Sequence, residues 1–185
     1  MRRRRCLRLL LWGAAVATAA VAGVPAHAQR EASESSVKAA FLYKFANYVE
    51  WPANAFASPT APLVIGVAGA DAIAADLERI TPGRNVAGHA IVVRRVDEGA
   101  ALRGVNILFV GRNEPAAAAL VRAAREQGIL AVTESDRGLD MGSAINFVTA
   151  GERVGFEVSL DAAEKSGYRI SSRMLAVARR VVPRS

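Results

Sequence analysis

The chain has 185 residues, with 24 basic and 17 acidic side chains, a formal net charge of +7 and a single cysteine. Five of the basic residues are arginines within the first eight positions, so the rest of the chain is close to neutral and its bulk charge does not indicate a nucleic-acid partner. The cysteine, Cys6, lies in the same leading segment, which excludes thiol nucleophiles, cysteine-rich zinc sites and iron–sulfur clusters from the remainder.

Residues 1–28 have the three parts of a cleavable signal peptide. The arginine block is followed by an apolar stretch, 9–24, whose about 16 residues fall short of the roughly 20 that a helix needs to span a bilayer. The small-x-small pattern of a signal peptidase site follows at 26–28. We predict cleavage after Ala28, which gives a periplasmic mature chain that begins at Gln29. The alternative is an uncleaved N-terminal anchor.

The mature chain is long enough for one domain with its own core. Helical spacing of apolar residues predicts four helices, over 37–51, 71–80, 114–127 and 171–181. Apolar runs predict six strands, over 63–67, 90–96, 105–110, 129–133, 144–149 and 153–160. We expect Ser35 or Ser36 to cap the first helix, Pro52 to end it, Asn113 to cap the third helix, and the serines at 171–172 to cap the last.

The order of these elements predicts an α/β fold. Strand–helix–strand occurs twice, at 63–96 and 105–133, which favours parallel strand pairs joined by crossovers. We therefore expect a single domain over 37–181, with a mixed, largely parallel sheet flanked by helices, a C-terminal antiparallel hairpin and a final helix. A flexible N-terminus, 29–36, and a short tail, 182–185, would flank this domain.

Three features of the sequence are candidates for a catalytic or binding site. The turn at 66–71 follows a strand as a phosphate-binding turn does, but it has no three-glycine spacing and no Gly-Lys-Ser/Thr, so a plain turn is favoured over an anion site. His89 is the only histidine left after cleavage, and no Gly-x-Ser-x-Gly accompanies it. Glu134, Asp136 and Asp140 are typical of a solvated loop, with metal binding as the alternative. We expect no enzyme, no metal and no cofactor.

Aromatic side chains are concentrated in the first predicted helix. They are Phe41, Tyr43, Phe45, Tyr48 and Trp51. Because residues two apart on a helix point in different directions, Tyr43 cannot share a face with Phe41 and Phe45. The helix therefore shows aromatic surface on more than one side, which either packs in the core or serves an interface. Arg173, in the first turn of the last helix, is electrostatically unfavourable there and indicates either a carboxylate partner or an ordinary surface arginine.

Four segments together resemble one known family. The long ones are KAAFLYKFANYVEWP at 38–52 and AINFVTAGERVGFEVSLDAAEKSGYRISSRMLAVARR at 144–180. Between them, in order, lie LVIGVAG at 63–69 and VNILFVG at 105–111. With these segments the chain resembles the YfiR/HmsC-like family of small periplasmic proteins over roughly residues 36–181.

The resemblance implies a regulator without catalytic residues. Such proteins bind the periplasmic sensory domain of an inner-membrane diguanylate cyclase and inhibit it, which lowers cyclic di-GMP and biofilm formation, and in some systems an outer-membrane lipoprotein relieves the inhibition. Some members form disulfides, which the mature chain here cannot. For an interface with the cyclase, the first candidates are Tyr43, Tyr48 and Trp51, with Arg173 as a charged one. The recurrent family positions that match are Asn146, Ser171, Ser172 and Arg173.

Two further functions stay open on the residues alone. A periplasmic small-ligand receptor would bind its ligand at the carboxyl ends of the strands, near Gly69, Gly111 and Glu134. A secreted hydrolase is the other. The oligomeric state, including a homodimer, is also left open by the sequence.

Overall fold

The structure, a computed structural model, describes residues 26–151 and 153–184. Its helices are α1 (Ala26–Tyr48), α2 (Asp71–Ile80), α3 (Ala117–Glu126), α4 (Leu160–Lys165) and α5 (Ser172–Leu175). Its strands are β1 (Val49–Glu50), β2 (Leu63–Ala68), β3 (Asn85–Val86), β4 (His89–Arg95), β5 (Ile107–Val110), β6 (Leu130–Thr133), β7 (Ile145–Ala150), β8 (Arg153–Ser159), β9 (Arg169–Ile170) and β10 (Arg180–Val182).

Of the predicted signal peptide, residues 1–25 lie outside the described part of the chain, and 26–28 are the first residues of α1. Within the described ranges, no helix is both long and apolar enough to cross a membrane.

Eight strands form one sheet in the order β10-β8-β7-β6-β5-β2-β4-β3, while β1 pairs separately with β9. The pairings β4–β2, β2–β5, β5–β6, β6–β7 and β8–β10 are parallel. The β7–β8 hairpin and the β3–β4 edge are antiparallel. The prediction of a single α/β domain with a mixed, largely parallel sheet and an antiparallel hairpin is therefore confirmed.

The centre of the sheet is covered on both faces. Every residue of β5 and β6 is buried, which explains why these strands are continuous apolar runs rather than alternating ones. On one face Phe109 packs in a cluster with α1 and α2, and on the other Leu108 packs in a second cluster with Val121 of α3. The carboxyl ends of the central strands thus lie between helices that come from opposite faces.

Phenylalanines hold α1 on the sheet. The ring of Phe45 is fully buried, and its centroid lies 4.9 Å from Phe156 and 5.5 Å from Phe147. Phe147 and Phe156 are direct partners in the β7–β8 ladder. Aromatic pairs at such separations contribute roughly 0.5–1.5 kcal/mol each beyond their area burial. These contacts fix where the polar and aromatic residues on the rest of α1 are presented.

The start of α1 differs from the prediction. The helix begins at Ala26, so segment 29–36 is helical where we expected an irregular, flexible chain. Neither Ser35 nor Ser36 caps the helix. Instead both hydroxyls donate hydrogen bonds to Oδ2 of Asp76 on α2, at 2.6 and 2.9 Å, and so join the two helices. Burial opposes ionisation of Asp76, but these bonds and one from Arg79 hold its pKa below the usual value.

The ends of three predicted helices also differ. Helix α1 ends at Tyr48, before Pro52, because the next two residues pair with β9. Asn113 caps nothing: α3 begins at Ala117, after a turn in which the Glu114 carboxylate accepts the Ala116 N–H at 3.1 Å. The final helix has four residues rather than the predicted 171–181, since the chain after it becomes strand β10. Ser171 does cap α5, as predicted, by accepting from the N–H of Met174.

Candidate functional site

Tyr48, the last residue of α1, is hydrogen-bonded to Ser171, which comes two residues before Arg173 in the sequence. The N–H of Ser171 donates to the carbonyl of Tyr48 at 2.9 Å, which brings the start of α5 to the end of α1. The Tyr48 side chain is 38% exposed, and Val177, just after α5, is 67% exposed. Arg173 is exposed and forms no ion pair with any residue in the described part of the chain. We call Tyr48, Arg173 and Val177 the α1–α5 surface.

Tyr43 and Trp51 are half-buried and contact other residues of the protein. The Arg84 guanidinium lies over the Tyr43 ring, 5.0 Å from its centroid, in a cation–π contact. The indole N–H of Trp51 donates to the Ala46 carbonyl at 2.9 Å, and its ring meets that of Tyr168 edge to face at 5.5 Å. The four predicted partner residues therefore do not form one patch: two are at the α1–α5 surface and two are half-buried elsewhere.

We predict that ionisation of the buried Tyr168 hydroxyl makes the protein less stable at alkaline pH. Burial raises its pKa from 10.0 to about 12, and the hydroxyl donates to the Gly128 carbonyl at 2.6 Å. The Tyr168 hydroxyl ionises near pH 10 in the unfolded chain but only near pH 12 in the folded chain. Its contribution to the free energy of unfolding is therefore complete below pH 10 and is lost as the pH rises to 12. The loss is at most about 2.7 kcal/mol.

Urea unfolding at pH 9 and at pH 11.5 measures this contribution when wild type is compared with Tyr168→Phe. The stability difference between the two proteins should shrink at the higher pH, because the variant has no hydroxyl to ionise. If the difference in free energy of unfolding between the two proteins is the same at both pH values, groups other than Tyr168 cause the loss of stability at high pH.

Asn146, one of the recurrent family positions, has a clear role in folding. Asn146 is 2% exposed, and its Oδ1 accepts hydrogen bonds from Thr133 Oγ1 at 2.8 Å and from the Ser135 N–H at 3.1 Å. A Cβ on Gly138 would lie 2.1 Å from the same oxygen, so the loop after β6 is closely packed on this amide. Asn146 therefore shapes the loop.

His89 and the carboxylates of the acidic loop contact other parts of the protein. The His89 ring stacks on Phe56 with centroids 3.6 Å apart, and its Nδ1 lies 2.6 Å from the Ala61 carbonyl, which requires this nitrogen to be the donor. In the acidic loop, Arg112 contacts Glu134 at 3.2 Å and Asp136 at 3.7 Å, and the side chain of Glu134 is 12% exposed whereas that of Asp136 is 95% exposed. Within residues 26–151 and 153–184, no group of three or more His, Cys, Asp or Glu side chains is placed to hold a metal ion.

The three positions predicted for a ligand receptor meet at one cavity. Gly69, Gly111 and Glu134 directly follow β2, β5 and β6, and they line a cavity of about 340 Å³ together with the first turn of α2. A Cβ on Gly111 would lie 2.4 Å from the Gly69 carbonyl oxygen, so glycine is required where the two strand ends approach.

The cavity lies where the strand order reverses. From β2 the chain passes through α2 to β4 on one side, and it then returns to form β5 on the other side of β2. Since α2 and α3 cover opposite faces, the connections diverge between β2 and β5. Open α/β sheets bind their ligands outside the strand ends at such a point. We call this the switch-point cavity.

Lys38, which was not among the predicted site residues, reaches this cavity from α1. Its side chain is 4% exposed, and its ammonium forms ion pairs with Glu34 and, at 2.8 Å, with Glu134, which also lies 3.2 Å from Arg112. The hydrogen bond from Lys38 holds the pKa of Glu34 below its usual value, although burial acts against this. The signal in the sequence is its place on the buried face of α1, four residues before Leu42.

A larger open groove, of about 810 Å³, lies at the opposite, amino end of the sheet. Its cationic side chains are Arg94, Arg103, Arg125 and Lys165. Two of them already have partners, because Arg94 donates to the Arg103 carbonyl at 3.0 Å and Lys165 pairs with Asp161 at 2.7 Å. The groove is formed mainly by loops and is not at the point where the strand order reverses.

The fold and these surfaces together define a small α/β domain with a crevice at the carboxyl edge of its sheet. The sequence matches the YfiR/HmsC-like family over residues 35–179, and the chain belongs to that family, as its segments predicted. The family is periplasmic and regulatory rather than catalytic, and it acts with membrane diguanylate cyclases.

Among solved structures, a conserved domain protein from Vibrio cholerae O1 biovar El Tor is similar, with a TM-score of 0.52 and 11% sequence identity. The alignment covers 80% of this chain and 60% of that protein, so the chain spans less than two thirds of its length. At this identity the likeness concerns the fold alone. No protein with a curated description matches the sequence significantly.

Proposed function

We propose that this protein is a periplasmic inhibitor of an inner-membrane diguanylate cyclase and acts by binding the cyclase's periplasmic sensory domain. The observation that carries the proposal is the family match over residues 35–179, nearly the whole of the predicted domain. Inhibition of the cyclase would lower the cellular concentration of cyclic di-GMP and reduce biofilm formation. An outer-membrane lipoprotein that relieves the inhibition is a further partner in this scheme.

The α1–α5 surface supplies the contacts in this proposal. Tyrosine and arginine are enriched among the residues that dominate binding energy, and Tyr48 and Arg173 are both exposed beside Ser171. The guanidinium of Arg173, which forms no ion pair within the described residues, fits a carboxylate on the sensory domain, since charge-assisted pairs of this kind are strong and directional. Val177 adds exposed apolar area. Tyr43 and Trp51 rank below these residues because both already pack within the protein.

Deleting the protein's coding sequence should raise cellular cyclic di-GMP, and mature protein returned to the periplasm should lower it again. Mass spectrometry of the periplasmic fraction checks the location, because the recovered protein should begin at Gln29. A version retained in the cytoplasm is the control, and it should not restore inhibition. A tagged mature chain should copurify with an inner-membrane cyclase.

Two outcomes together would contradict this function. The deletion strain would have unchanged cyclic di-GMP under conditions where the wild-type strain expresses the protein, and no cyclase would copurify with the tagged chain. A protein that retains residues 9–24 in the mass spectrum would instead contradict cleavage after Ala28 and favour an anchored form.

A further inference from the structure

Positive charge is concentrated at the open groove of about 810 Å³ and at an adjoining cavity of about 350 Å³. We call the two together the basic groove. Their cationic side chains are Arg94, Arg103, Arg122, Arg125 and Lys165. Glu126 is the one acidic residue among the described residues that line them. Because the chain after residue 28 is close to neutral, this excess of positive charge is local to one part of the surface.

Most of this charge is not neutralised within the protein. Arg103, Arg122 and Arg125 are exposed, and none of them forms an ion pair with a residue that the structure describes. Arg94 donates to main-chain carbonyls, which carry no formal charge, and Lys165 forms the one ion pair of the set. The basic groove therefore presents several guanidinium groups that are free to pair with carboxylates of another molecule.

Side-chain hydrogen bonds hold the loops that form the basic groove. Asn106 is 6% exposed, and its amide nitrogen donates to the Ala55 carbonyl at 2.7 Å while its Oδ1 accepts the Val64 N–H at 2.8 Å. These two bonds fix the loop before β2 on the sheet. The guanidinium of Arg94 fixes the loop before β5 in the same way, by donating to the Arg103 carbonyl at 3.0 Å. A groove with fixed walls loses less conformational entropy when a ligand binds.

Apolar side chains also line the basic groove. They are Pro52, Ala55, Ala57, Pro62 and Val64. A matching ligand therefore carries apolar groups as well as negative charge. A peptide with aspartate or glutamate among apolar residues has both. An anionic polysaccharide has no apolar side chains, and the surface of a bilayer is too flat to enter a concave groove.

We propose that the basic groove binds an acidic segment of a partner protein, in which carboxylate side chains are interspersed with apolar ones. Arg103, Arg122 and Arg125 pair with the carboxylates, and the apolar side chains pack on the loop before β2. The volume of about 810 Å³ lies within the roughly 300–1,000 Å³ of sites that bury a ligand of drug size, which suits a short peptide. No residue of the α1–α5 surface lines the groove, so this contact is separate from the proposed cyclase contact and can be tested without any cyclase.

The test uses the mature chain from Gln29 and fluorescence anisotropy of a labelled peptide built from glutamate, leucine and glycine. The same peptide with glutamine in place of glutamate is the neutral probe, and dextran sulfate and phosphatidylglycerol vesicles represent other classes of anionic partner. Arg103→Glu reverses an exposed, unpaired charge, and Arg125→Gln removes one without placing a carboxylate at the end of α3. The matched control is Arg153→Glu, because Arg153 is exposed, forms no ion pair within the described residues and does not line the groove. Melting temperatures check that each variant is folded.

We expect the acidic peptide to bind wild type, Arg103→Glu to weaken that binding by at least about tenfold, Arg125→Gln to weaken it by about threefold, and Arg153→Glu to change it by less than about twofold. Raising sodium chloride from about 0.05 M to about 0.5 M should also weaken it, because salt screens the charges. The proposal is overturned if the acidic peptide does not bind or if the neutral peptide binds equally well. It is overturned as well if Arg153→Glu weakens binding as much as Arg103→Glu, since the attraction is then not specific to the groove. Tighter binding of dextran sulfate or of the vesicles through the same arginines would assign the groove to another class of partner.

Discussion

Replacing Lys38 with methionine should lower the free energy of unfolding by about 3–5 kcal/mol, the range for removing one partner of a buried ion pair. Methionine preserves most of the side-chain volume but removes the charge that two carboxylates share. Glu134 is the more affected of the two, because it is 12% exposed whereas Glu34 is 30% exposed. Arg112 remains beside Glu134 and places the expected loss towards the lower end of that range. Urea denaturation at neutral pH measures it.

Lys44→Met is the matched control, since Lys44 lies on the same helix but is exposed, and it should change stability by less than about 0.5 kcal/mol. The double variant Lys38→Met with Glu134→Gln should be more stable than Lys38→Met alone, because the second change removes a largely buried carboxylate that has lost one of its two cationic partners. If Lys38→Met is as stable as Lys44→Met, the carboxylates at the carboxyl edge do not depend on this ammonium, and the ion-pair cluster is only a surface feature.

Elements with strong local signals could be predicted from the sequence alone. Helix α2 occupies the predicted residues 71–80, because its apolar spacing, its first acidic residue and the proline after it all agree. The hairpin of β7 and β8 was predicted as well, since two strand-like runs are separated there by a turn with a glycine. In each case, nearby residues determine the element.

Elements that depend on distant partners were mistaken or missed. Residues 180 and 181 were predicted to end the last helix and residue 182 to begin the tail, but 180–182 form β10 by pairing in parallel with 157–159 at the end of the sheet. Their valines suit an edge strand once that partner is present, so tertiary pairing overrides the local helical period. The short β1–β9 ribbon has the same origin and ends α1 before the proline. The spacing of apolar residues within one segment cannot indicate a strand partner that is distant in the sequence.

The candidate sites divide in the same way. The carboxyl-edge positions Gly69, Gly111 and Glu134 could be expected to meet, because parallel strands end at one edge of a sheet. Lys38 could not be assigned to them, since it is brought there by the packing of α1. The sequence also did not predict which aromatic side chains are exposed. Tyr48 and Trp51 are three residues apart, yet Tyr48 is at the surface and Trp51 packs against Tyr168.

That difference in exposure predicts which aromatic residue binds the cyclase. Tyr48→Ala should weaken binding to the periplasmic sensory domain by about 30-fold, equivalent to about 2 kcal/mol for an interface anchor, and should leave the melting temperature unchanged. The physical reason is that the Tyr48 side chain is 38% exposed and can be buried by a partner, while its backbone carbonyl, which holds Ser171, is kept in the variant. Biolayer interferometry and thermal denaturation of the same preparations give the two readouts.

Two aromatic controls on the same segment make this result specific. Trp51→Ala should destabilise the fold by about 3 kcal/mol, because it loses the indole hydrogen bond to Ala46 and the ring contact with Tyr168, so any binding defect follows from unfolding. Tyr43→Ala should leave binding near wild type, since Tyr43 is occupied by Arg84 on another face of α1. If Tyr43→Ala abolishes binding and Tyr48→Ala does not, the interface lies on the Arg84 side of the helix. The α1–α5 surface would then be left without a partner, because the family match assigns a regulatory role but does not determine which face of α1 meets the cyclase.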